Sequence, residues 1–169
     1  MERPAFVPDP SLSRAEMEHL QRDIAASATF EDALELDTFP DQPLVAGVDQ
    51  GFDGDTATSA VVVMRGDAVV ERAHATEPAE IPYIPGLLSF REGGAVLSAL
   101  DSLECEPAVV LVDGSGRIHF REAGLATHVG VTLDLPSIGV AKNLLCGRPV
   151  ASTDGLSEGE RVGIEADND

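Results

Sequence analysis

A mixed α/β sheet with helices packed against it is the fold class this sequence predicts, and three observations predict it. Three apolar runs follow one another from residue 44, separated by short Gly-Asp turns, which is the pattern of an antiparallel meander. Two further apolar runs, Val109–Val112 and Ser137–Ala141, are each preceded by a helix-length segment, which is the pattern of βα units. The length of 169 residues and the 43% apolar content suit one domain with a full core. The predicted order is βββαβαβ, preceded by a helix.

The elements follow in order. Residues 1–10 contain three prolines and are expected to form an extended arm. Ser13 with Glu16 is a capping box for a helix from about 13 to 27, whose partial apolar face is Ala15, Met17, Leu20, Ile24 and Ala25. The stretch 29–43 is acidic and irregular. Strands are predicted at 44–52, 58–64 and 68–75, punctuated by Gly54-Asp55 and Gly66-Asp67. Prolines at 78, 82 and 85 exclude a helix in the stretch 77–90 and stiffen the backbone around Tyr83. A helix then opens at Ser89-Phe90-Arg91-Glu92 and runs to about Leu103. Strand Val109–Val112 ends at Asp113, and Gly114-Ser115-Gly116 is a loop. A helix is expected from about Glu122 to Leu133, and a strand from Ser137 to Ala141 leads to Lys142. The polar, glycine-rich segment 149–169 offers one possible strand, Arg161–Ile164, and no closing helix.

Thirty acids face eleven bases, for a net charge of −19, and Lys142 is the sole lysine. Acid surplus with lysine depletion points to an extreme halophile, whose solvent screens self-repulsion. The basic footprint of an ordinary nucleic-acid binder is missing, which carries little weight in molar salt. No apolar run reaches the roughly 18 residues of a membrane span. The N-terminus has no signal-peptide pattern. Cys105 and Cys146 have neither metal-ligand spacing nor a disulfide framework, so both are read as core thiols of a reduced, cytoplasmic protein.

Three carboxylates stand at element ends. Asp49 closes the apolar run 44–48, where an unpaired buried charge is expensive. Asp113 ends a central strand and Glu92 sits at a helix start. In open α/β sheets, sites form beyond the carboxyl ends of strands, so Asp49 and Asp113 are expected to converge there. Hard oxygen donors suit Mg²⁺ or Mn²⁺, and two such ions about 4 Å apart clamp the attacking and leaving oxygens of a phosphodiester. Lys142, directly after a strand, is placed to meet a phosphate. His119, six residues past Asp113, is a candidate base, water-positioner or ligand. His19, His74 and His128 are read as structural or surface residues. Tyr83, held between prolines, is either a rigid stacking or wedging aromatic or a loop residue packed on the core.

Together these motifs are specific. Pro82-Tyr83-Ile84-Pro85-Gly86, Phe90-Arg91-Glu92, Asp113-Gly114-Ser115-Gly116 with His119, the run 124–130 and Ile138-Gly139-Val140-Ala141-Lys142 closely resemble endonuclease V, the deoxyinosine 3′-endonuclease family. The resemblance spans 44–147 and implies a ribonuclease-H-like fold. It also implies an enzyme that nicks deaminated DNA, or RNA in some members, at the second phosphodiester 3′ to inosine. By resemblance Asp49, Glu92 and Asp113 are the metal-binding acids, Lys142 lies near the scissile phosphate, and His119 is the histidine after the glycine loop. Tyr83, with Pro82, Ile84 and Pro85, matches a strand-separating wedge. Gly86, Gly114, Ser115 and Gly116 match the region that receives the flipped base. The implied cofactor is Mg²⁺ or Mn²⁺, and the implied protein is a monomer without membrane partners.

Two departures stand out: Phe120 where the family commonly has proline, and Gln50-Gly51 after the strand aspartate. No family motif is recognised in 148–169, so that end is expected to be truncated or divergent and the last acidic corner of the site to lie elsewhere. Two alternatives follow. One is a catalytically incomplete domain that binds inosine-containing nucleic acid. The other is an actin-like phosphotransferase, suggested by the Asp49-Gln50-Gly51 turn.

Overall fold

The computed structural model describes residues 3–31 and 42–167, so most of the acidic 29–43 stretch lies outside the described residues. A 3-10 turn at Pro4–Phe6 precedes helix α1 (Arg14–Ser27). Strands β1 (Leu44–Asp53), β2 (Thr56–Arg65) and β3 (Ala68–Pro78) come next, then helix α2 (Leu88–Asp101) and strand β4 (Val109–Asp113). Helix α3 (Leu125–Leu133), strand β5 (Ser137–Val140) and two short strands, β6 (Arg148–Pro149) and β7 (Ile164–Glu165), complete the order.

The main sheet runs β3-β2-β1-β4-β5, with the meander antiparallel and β4 and β5 parallel to β1. The meander strands are longer than predicted, because only two residues are spent on each turn. Both turns place a glycine first, Gly54 at φ 58° and Gly66 at φ 55°. Positive φ at the first central position only, with Asp55 and Asp67 outside the positive-φ region, marks the type II′ turn, whose twist matches the flanking strands. On β2 the alternation is strict, with Ala57, Ser59, Val61 and Val63 buried and their neighbours more exposed. Val61 and Val63 join Ala46, Val48, Val110 and Val112 under Val96, Leu97 and Leu100 of α2 and Leu125, Ala126 and Val129 of α3, while Ala57 packs with Ala79 and Ala95. The core is therefore one sheet face covered by two helices.

Helix α1 begins as predicted, with Ser13 Oγ accepting from the Glu16 amide and the Glu16 carboxylate accepting from the Ser13 amide. Helix α3 starts at Leu125 rather than 122. Glu122 takes φ 53°, and the Gly124 amide donates to the Gly116 carbonyl, so the chain is still bound to the 114–116 loop there. The predicted strand 161–164 is reduced to Ile164–Glu165, paired with Arg148–Pro149, and among the described residues no helix follows α3. The cysteines are half-buried rather than core residues. Cys105 packs at the margin of the main cluster and both thiols are free.

Candidate metal centre and nucleic-acid interface

Strand alternation decides where Asp49 points. Val48 faces the core, so Asp49 faces outward and is exposed, not buried in the strand as its apolar neighbours suggested. The carboxylate avoids the cost of a buried charge, and its Oδ1 accepts from the Gln50 amide at 2.7 Å. The last parallel pair between β1 and β4 is Val48 with Val112, so Asp49 and Asp113 occupy the next row of neighbouring strands. Asp113 is likewise exposed. This register sets the two positions side by side.

Glu92 arrives from the first turns of α2 and is 8% exposed. Burial pushes its carboxyl up to about 7; Arg91 opposes this, and the negative charges of Asp113 and Asp49 add to it. The three acids thus share one electrostatic environment at one end of the sheet. Among the described residues, no three acid, histidine or cysteine side chains are close enough to hold a metal as a ready-made cage. The donor chemistry suits a hard divalent ion that keeps most of its waters, and mutual repulsion of the acids is what such an ion would relieve.

Lys142 is exposed just beyond β5. It lines a groove of about 890 Å³ together with Ser115, Gly116, Ile138, Gly139 and Asn143. None of the three acids borders this groove; besides the glycine loop and Lys142, residues 27–31, α3 and β5 line it. The loop lies against β5: the Gly114 amide donates to the Val140 carbonyl at 3.0 Å. A Cβ on Gly139 would collide with Gly116 N, Gly114 O and Ser115 C, so only glycine permits this approach.

Tyr83 is 65% exposed between the exposed Pro82 and Pro85. Ile81 and Ile84 pack inward on the cluster of Met17, Leu87 and Phe90. The loop is anchored on both sides of Tyr83, and the ring is left in solvent rather than packed on the core. Arg91 stacks over Phe52 at 4.6 Å and donates to the Ile81 carbonyl, which ties the tip of β1 to this loop.

His119 is buried, and both ring nitrogens are engaged. Nδ1 accepts from the Arg121 amide at 3.2 Å, which leaves the proton on Nε2 to donate to the Gly86 carbonyl at 3.1 Å. Burial, helped by the Arg121 charge, lowers its pKa to about 4, so the ring is neutral. The structure joins His119 to Gly86 rather than to the acids. His128 is fully buried, its Nε2 donating to the Phe6 carbonyl at 2.8 Å, whereas His19 and His74 are exposed.

Sequence reasoning missed two residues. Gln21 is 0% exposed, and its Nε2 donates to the Gly86 carbonyl at 2.8 Å. Arg121 donates to Gln21 Oε1 at 2.6 Å and to the same carbonyl at 3.1 Å. A signal existed for Gln21: it lies on the buried stripe Met17, Gln21, Ile24 of α1, where a polar residue needs partners.

The family model for endonuclease V matches residues 26–166. The chain belongs to the endonuclease V family. The match takes in most of the polar end, 149–166, in which no family motif had been recognised. Endonuclease V of Haloarcula marismortui is 57% identical over an alignment that covers 98% of this chain and 70% of that protein. The crystal structure of endonuclease V from Streptomyces avermitilis superposes with a TM-score of 0.77 at 34% identity, covering 96% of this chain and 70% of that one. Ciona intestinalis endonuclease V (D234N), solved with a 23mer DNA containing an inosine followed by a ribo-adenosine, gives a TM-score of 0.68 at 28% identity, covering 79% of this chain and 60% of that one. The ribonuclease-H-like α/β fold implied by the motifs is borne out. Family membership also displaces the actin-like alternative.

Proposed function

We propose that this chain is a DNA repair endonuclease that nicks deaminated, inosine-containing DNA at the second phosphodiester 3′ to the lesion. The observation that carries the reading is the placement of Asp49, Asp113 and Glu92 at one end of the sheet in a chain that belongs to the endonuclease V family. The inosine-containing complex of the Ciona relative supports the substrate class.

In this reading Asp49 and Asp113 hold Mg²⁺, or Mn²⁺, with Glu92 closing the site once it ionises. The ion, when bound, supplies Lewis acidity and a water nucleophile at neutral pH. Lys142 meets the phosphate as a point charge, and the amides of the 114–116 loop approach the extruded base. Tyr83 wedges between base steps, which an exposed ring on an anchored loop is suited to do. His119 holds the loop through Gly86 instead of moving a proton, because neither ring nitrogen is free. The products are 5′-phosphate and 3′-hydroxyl ends. The protein works as a monomer in the cytoplasm of a halophile; the Haloarcula relative supports the last point. No helix among the described residues is long and apolar enough to cross a membrane.

Nicking of a duplex with one inosine in Mg²⁺, with binding measured separately in Ca²⁺, tests the reading. Asp49→Ala and Asp113→Ala should each lower nicking by about a hundredfold or more, in line with the loss of a group central to transition-state charge. Tyr83→Ala should act mainly on binding. Wild-type nicking by Asp113→Ala would sink the mechanism. A second reading, binding without cutting, is favoured by the lack of a ready-made three-ligand cage among the described residues. It predicts inosine-specific binding with no nick in either ion. Matched DNA and RNA substrates, each with one inosine, decide the preferred nucleic acid.

A further inference from the structure

Three side-chain donors converge on the Gly86 carbonyl. It accepts from Gln21 Nε2 at 2.8 Å, His119 Nε2 at 3.1 Å and Arg121 Nη2 at 3.1 Å. A carbonyl oxygen has two lone pairs, so three donors on one oxygen exceed what backbone satisfaction requires. Gln21 is the hub. Its Nε2 also reaches the Ala123 carbonyl at 3.3 Å, and its Oε1 accepts from Arg121 Nε at 2.6 Å. One side chain from α1 thereby ties together the Gly86 corner and the 119–123 segment.

Gly86 stands between two functional parts. Before it lies the loop that carries Tyr83, and after it α2 begins at Leu88 and carries Glu92. The glycine has φ 81°, and a Cβ there would meet the Phe120 ring at 2.9 Å, so the corner packs closely on that ring and disfavours any other residue. The Leu87 amide donates to the Ile84 carbonyl at 2.9 Å, which passes the constraint back into the loop.

We infer that Gln21 is a positioning residue: its carboxamide fixes the Gly86 corner, and through it sets the Tyr83 loop relative to the acidic end of the sheet. The function of that loop as a wedge rests on the nuclease reading above. The hydrogen bonds that hold it do not.

The test separates the two. Tyr83 is the only tyrosine and the chain has no tryptophan, so intrinsic fluorescence reports on this loop alone. Gln21→Leu removes donors and acceptor; Gln21→Glu keeps the size and the acceptor for Arg121 but loses the donors. Thermal melts establish that the variants are folded, and the isosteric Gln21→Glu serves if Gln21→Leu is not. Time-resolved anisotropy should show a larger fast component for Tyr83 in both variants than in the wild type. Cutting should split by substrate. On duplex inosine DNA, KM should rise about tenfold with kcat nearly kept, while on single-stranded inosine DNA, where no strands need parting, both constants should stay within twofold. Unchanged Tyr83 anisotropy in a folded variant, or an equal loss on both substrates, would overturn the inference. If Tyr83 loosens as expected but the wild type cuts neither substrate, the positioning stands and the nuclease reading fails.

Discussion

Glu92 is the residue whose chemistry depends most on where the fold puts it. In sequence it is an acid at a helix start. In the structure it is 8% exposed near two other carboxylates, and its pKa is pushed up to about 7. Because the folded pKa lies above the unfolded value, the metal-free fold holds the Glu92 proton more tightly than the unfolded chain does. Stability from this group is present below about pH 4.5 and is lost as pH rises through about 7. Glu92→Gln, which cannot ionise, should therefore melt close to the wild type at pH 5 and above it at pH 8 when chelator is present. Adding Mg²⁺ at pH 8 should raise the wild-type Tm and leave the variant nearly unmoved. A Tm difference that does not grow with pH would remove the buried carboxylate from the account.

Elements meet at backbone distance where β5 passes the glycine loop. Gly139 has no room for a Cβ, because Gly116 N, Gly114 O and Ser115 C occupy its place. Overpacking of a close contact costs about 1–3 kcal/mol. Gly139→Ala should show that loss in urea denaturation and should shift the 114–116 loop away from β5. Gly51→Ala, with nothing within 4 Å of its Cβ position, is the matched control and should be near neutral. The same loop explains why α3 begins late. Gly124 and Ala126 donate to the carbonyls of Gly116 and Ser115, so helix formation waits until those bonds are made.

The whole molecule carries a net charge of −19, so it repels itself and its polyanionic substrate. Raising KCl from 0.1 M to 2 M should raise Tm, because the Debye length falls from about 10 Å to below about 3 Å. Affinity for inosine DNA should depend weakly on salt. A basic binder with six to ten phosphate contacts loses about a thousandfold or more between 50 and 200 mM salt. In the proposed reading metal bridging, stacking and the base pocket carry the binding, and a loss below about tenfold is expected. A steep fall in affinity would show that phosphate contacts dominate after all.

The sequence by itself determined the main strands and helices, their order along the chain and the identity of the family. Those rest on local signals: period-two apolar runs, Gly-Asp turns, a capping box and motifs of neighbouring residues. It also singled out Asp49 and Asp113; the β1–β4 register put them side by side, with Asp113 at the end of β4 and Asp49 inside β1, just past the last β1–β4 pair. It could not decide which way a side chain faces when its neighbours are all apolar, so Asp49 was read as buried until the pleat showed it exposed. Nor could it show which partners a buried polar group finds. His119 and Gln21 reach Gly86 across 33 and 65 residues of chain, and only packing brings them there. Hydrogen bonds of that reach leave no periodic trace in sequence, because the residues between the partners carry no information about the contact.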